Sequence, residues 1–74
     1  MSIYRIPITA RLEKMGRKDI DPRHVEGYMR CVYGTLDSLE PARFTREVKI
    51  AVRLIDQDGP KVAEGVALSY GLRA

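Results

Sequence analysis

The chain has 74 residues, 45% of them hydrophobic and 31% charged, with a formal net charge of +3 and a pI near 9.3. That length holds one domain, and the composition excludes a disordered chain, which would be poorer in apolar residues. The single cysteine, Cys31, excludes an internal disulfide, and no apolar run approaches the ~18 residues that a bilayer span requires.

At this size folding buries roughly 60% of the surface that the unfolded chain exposes, so stability is thin, and a partner or a second copy would add to it. The opening Met1-Ser2-Ile3-Tyr4-Arg5 lacks the apolar run of a secretory signal, and a cytoplasmic location is expected. A mild positive charge favours an acidic partner without choosing between protein and nucleic acid.

In chain order, Ile3-Tyr4-Arg5-Ile6-Pro7 alternates but ends at Pro, so an extended arm over residues 1–7 is expected to pack on the helices. Ile8, Leu12 and Met15 recur at helical spacing before Gly16 and predict a first helix over 8–15. The charged linker Arg17-Lys18-Asp19-Ile20 leads to Asp21-Pro22. An Asp that can accept a backbone N–H, followed by a Pro in the first turn, marks a helix start; Gly34 marks the end of this second helix, 22–33. Val25, Tyr28, Met29 and Val32 share one face and are expected in the core, with Arg23, Glu26 and Arg30 on the solvated side. Thr35 to Ser38 and Leu39 form a connection whose Leu36 and Leu39 are expected to tuck inward.

The third helix, 41–57, opens at Glu40-Pro41 and stops before Asp58-Gly59. Phe44, Val48, Ala51, Val52 and Ile55 give it the strongest helical periodicity in the chain, and it reads as the central core helix. The last helix, 60–70, places Val62, Ala63, Val66, Ala67 and Tyr70 toward the core. After Gly71, Leu72 is expected to fold back on the preceding turn. The fold class is therefore all-α: a compact bundle of three to four short helices with an extended N-terminal arm.

Catalytic chemistry finds little support. His24 and Cys31 are the only His and the only Cys, but seven positions along one helix separate them by about 10.5 Å along its axis, too far for a thiol and its base. Cys31 reads as a half-buried packing residue and His24 as a first-turn polar one. One His and one Cys cannot supply a structural zinc site, and the carboxylates lie scattered along the sequence. The glycines sit mainly at helix ends, where capping accounts for them, so no phosphate-cradling loop is formed. The expectation is a non-enzymatic protein with no cofactor.

The informative surface lies on the third helix. At about 100° per residue, Arg46, Lys49 and Arg53 share a sector opposite the core face, with Arg43 to one side. This basic stripe suits an acidic protein groove or a phosphate backbone, and it equally suits the plain solvated side of an amphipathic helix. Ile50 and Leu54 project from its flank. Covered by the arm or first helix they would extend the core; uncovered they would form an apolar pair rimmed by Arg43 and Arg53, as at a partner-binding or dimer surface. Arg17 and Lys18 belong, with Arg11, Lys14 and Arg23, to a second basic concentration that Glu13, Asp19 and Asp21 dilute.

The run Arg11-Leu12-Glu13-Lys14-Met15-Gly16-Arg17-Lys18-Asp19-Ile20-Asp21-Pro22-Arg23-His24-Val25-Glu26-Gly27-Tyr28-Met29-Arg30, with Tyr33-Gly34-Thr35-Leu36-Asp37, resembles small uncharacterised helical proteins of proteobacterial mobile elements. The resemblance carries no functional motif and no site residue. It implies a context in which short proteins bind and block something larger, including host defence complexes in the manner of anti-CRISPR proteins, or act as transfer regulators. The expectation is a protein-binding regulator or inhibitor that uses Arg43, Arg46, Lys49, Ile50, Arg53 and Leu54, with Arg17 and Lys18. Nucleic-acid binding through the same cations is the alternative; no membrane partner is expected, and homo-oligomerisation stays open.

Overall fold

A computed structural model of the chain describes residues 3–73, and within them four helices follow one another with no strand: α1 (Arg5–Lys14), α2 (Pro22–Tyr33), α3 (Pro41–Asp58) and α4 (Pro60–Ser69). The all-α reading holds. Prolines occupy the first positions of α2, α3 and α4, where a missing N–H costs nothing. Asp21 accepts the Arg23 amide at 2.9 Å and caps α2. After α4, Gly71 adopts φ 74°, which lets the Leu72 amide reach the Ala67 carbonyl at 3.0 Å while the Gly71 amide reaches Leu68 at 2.9 Å. That pair of bonds is a Schellman turn, and it folds Leu72 back as its position after a glycine predicts.

The extended arm does not form as expected. Residues 1 and 2 lie outside the described residues, Ile3 and Tyr4 make a turn, and residues 5–7 are already the first turn of α1. Pro7 is admitted because the first-turn amides of a helix have no intrahelical acceptor. Tyr4 closes this end by stacking on Phe44 of α3, ring centroids 6.4 Å apart, while the Arg30 guanidinium of α2 lies 5.9 Å from the Tyr4 ring.

The central helix is α2, not α3. Every residue from Arg23 to Met29 is buried, and α2 packs against each of the other three helices. Gly27 makes this arrangement possible: a Cβ there would stand 3.0 Å from the Ala67 Cα and 3.1 Å from its nitrogen, so the α2 and α4 backbones meet with no side chain between them. The side of α2 that carries Arg23, Glu26 and Arg30 is therefore covered rather than solvated. Glu26 is fully buried, with one carboxylate oxygen 3.1 Å from Arg30 and the other without a hydrogen-bond partner among the described residues.

The core gathers Ile8 and Leu12 of α1, Val25 and Met29 of α2, Leu36 of the connection, Val48, Val52 and Ile55 of α3, and Ala63 of α4. Leu39 packs against it, as expected. Three residues assigned to the core by periodicity stand outside: Val32, Val62 and Tyr70 are exposed. Each lies near a helix end or on an α4 flank that small residues hold close to α2, so the stripe that contacts its neighbours is narrower than the apolar stripe of the sequence.

Candidate partner-binding surface

Helix α3 buries Val48, Ala51, Val52 and Ile55 against the bundle, which fixes its opposite side toward solvent. Arg46, Lys49 and Arg53 are exposed there, and among the described residues none of them forms an ion pair. Arg43 is exposed as well, its guanidinium 5.6 Å from the centroid of the Tyr33 ring, a cation–π contact that orients it beside α2.

Ile50 and Leu54 are 41% and 38% exposed, so neither the N-terminal segment nor α1 covers them. They meet Val32, itself 65% exposed, across the α2–α3 seam, where Tyr28, Met29, Glu47 and Ala51 floor a shallow depression. The result is an apolar patch of three aliphatic side chains from two helices beside the row of unpaired cations. Val32 was not legible as part of it, because with Val25, Tyr28 and Met29 it completes an i, i+3, i+4, i+7 pattern that is also that of a core face.

Arg17 does not belong to this surface. Its guanidinium grips both Asp56 oxygens at 2.7 and 2.9 Å and Asp19 at 3.1 and 3.2 Å, tying the linker before α2 to the last turns of α3. Asp56 bonding raises the Arg17 pKa further, and Arg17 holds Asp56 and Asp19 below the ordinary carboxylate range. The same pairing commits Asp56, an acid of α3, to the linker. Lys18 is exposed beside this tie, with no ion pair among the described residues.

A second polar constellation joins α2 to α4. The buried His24 Nε2 lies 2.8 Å from Glu64 Oε1, and Asp21, His24 and Glu64 each bring one ligand-type atom within 4.8 Å of the others. The carboxylates are thus scattered in sequence but not in space. Arg23 lies among them, donating to Asp21 at 2.8 Å, to Glu64 at 2.8 and 3.2 Å and to the Leu72 carbonyl at 3.0 Å. The guanidinium supplies the positive charge that two carboxylates require, so the cluster is satisfied as a structural clasp. Arg23 and then His24 bonding lower the Glu64 pKa; burial pushes Asp21 up, but the Arg23 amide and guanidinium outweigh it. Cys31 is exposed rather than half-buried, and the His24 ring is occupied by Glu64, which leaves the thiol without that base.

No family model matches the chain, and no curated protein or solved structure matches it. Among the described residues no helix is long and apolar enough to cross a membrane.

Proposed function

We propose that this is a small non-enzymatic protein-binding regulator or inhibitor that docks an acidic, partly apolar partner surface onto α3. The observation behind this reading is the juxtaposition of exposed Ile50, Leu54 and Val32 with Arg46, Lys49 and Arg53, cations that form no ion pair among the described residues. An apolar centre beside a charged rim is the anatomy of a protein interface, whereas phosphate binding requires the cations alone. Lys18 and Arg43 extend the charged margin; Arg17 contributes only by holding the linker. The mobile-element resemblance supports a partner within a larger host complex, in the manner of an anti-CRISPR or anti-activator protein.

The test is capture from a lysate of the source organism, with and without nuclease, by the wild-type protein and by Arg46→Glu, Arg53→Glu, Ile50→Ala and Leu54→Ala. A defined protein that survives nuclease and is lost with both kinds of variant supports the proposal. Its affinity should fall about tenfold or more on Ile50→Ala or Leu54→Ala, the range of an interface hot spot. Nuclease-sensitive capture, indifferent to Ile50 and Leu54, would install the nucleic-acid reading instead. Three phosphate contacts would then give a log–log salt slope of about −2.7.

A further inference from the structure

A cleft of about 530 Å³ lies on the flank of α3 away from Ile50 and Leu54, between α1 and the connection that leads into α3. Its walls are mainly apolar: Tyr4 and Pro7 on one side, Leu36, Leu39, Pro41 and Phe44 on the other. A volume of this order falls within the roughly 300–1,000 Å³ of small-molecule sites, which are likewise apolar with a few placed polar groups.

The charge in the cleft is one-sided. Arg11 and Lys14, three positions apart on α1, line it, while the acid of the lining, Asp37, comes from the connection. Among the described residues neither cation has an ion-pair or hydrogen-bond partner, although Arg17, Arg23 and Arg30 all do. The Arg11 Nε is moreover shielded from solvent with no acceptor. A buried donor left unpaired is costly, so a group that brings an acceptor to it is favoured by more than its charge.

We infer that this cleft binds a small amphipathic carboxylate, a medium-chain acyl acid being the class that fits. Its apolar body lies against Leu36, Leu39 and Phe44, and its head bonds Arg11 and Lys14. Asp37 on the facing wall repels a carboxylate placed there and so fixes the direction of entry. The site is separate from the α3 face proposed for the protein partner and stands or falls without it.

Decanoate, kept below its micellar concentration, is the probe. It is titrated into the ¹⁵N-labelled protein beside decanol and decyltrimethylammonium, which share its chain but not its head. Saturable shifts at Arg11, Lys14, Leu36, Leu39 and Phe44 are expected with decanoate, and binding at least about tenfold weaker with the other two, the loss expected when a charge-assisted bond is removed. Arg11→Gln should weaken decanoate to a similar degree, and Ala10→Phe, which fills the cleft from an exposed lining position, should abolish saturation while helical circular dichroism is retained. If Ala10→Phe loses helicity, Ala10→Leu replaces it. Equal binding of decanol, shifts centred on Val32, Ile50 and Leu54, or no saturation at millimolar decanoate would overturn the assignment.

Discussion

Single residues decide how closely the helices approach, and Gly27 is the clearest case. Alanine would favour the isolated helix by about 1 kcal/mol, but its Cβ would press on the Ala67 backbone, which cannot turn aside as a side chain can. Overpacking of this kind costs about 1–3 kcal/mol and should prevail. Gly27→Ala is therefore expected to lower Tm, at about 4–8 °C per kcal/mol for a domain of this size. Gly65, also helical, is exposed, and a methyl group added there would meet nothing within 4 Å, so Gly65→Ala should raise stability by about 0.5–1 kcal/mol in the same thermal melts. Tyr28 gives a residue-level pH signature. Burial, then its 2.6 Å bond to Asp58, pushes its pKa from 10.0 to about 12. A folded pKa raised in this way contributes stability that is present below pH 10 and lost as pH rises toward 12. Denaturant titrations over that range should show a fall for the wild type that Tyr28→Phe makes shallower.

At the level of elements, the clasp of Arg23 with Asp21, Glu64 and Leu72 joins the start of α2 to α4 and its terminal turn. Arg23→Met should leave two facing carboxylates without their shared cation and free the Leu72 carbonyl. The expected result is a lower Tm together with faster hydrogen exchange at the Gly71 and Leu72 amides; unchanged exchange there would show that the Schellman turn stands without the clasp. The helices themselves were legible, because Asp21-Pro22, Glu40-Pro41 and Gly59-Pro60 start them and Gly16, Gly34, Gly59 and Gly71 stop them by local backbone preference alone. The start of α1 was not. Pro7 reads equally as the end of an arm and as a first-turn residue, and only the packing of Tyr4 on Phe44 distinguishes the two.

For the molecule as a whole, four carboxylates, Asp19, Asp21, Asp56 and Glu64, are held below their ordinary pKa by arginines that bridge different segments. The unfolded chain takes up protons at the ordinary values of 3.8 and 4.5, whereas the native form takes them up lower. Stability should therefore be complete above about pH 5 and fall progressively as pH drops through the native pKa values. Denaturant midpoints between pH 2 and 7 would check this, and Arg17→Gln should make the acid limb shallower by releasing Asp19 and Asp56. The α3 surface belongs to this scale too. Arg46, Lys49 and Arg53 were legible as one sector of a helix, but Arg17 resembled them in sequence and is spent on Asp56, 39 positions away.

Interactions that reach no farther than one helical turn set the elements: four helices, their bounds within a few residues, their caps, and the basic sector of α3. Packing between distant segments makes α2 rather than α3 central, buries Glu26, joins Val32 to Ile50 and Leu54 in an exposed patch, and brings Asp21, Arg23, His24 and Glu64 together. Periodicity states which side chains share a face; it does not state how many neighbours cover that face. Here the answer turned on Gly27 and Ala67, whose missing bulk lets α4 close over α2.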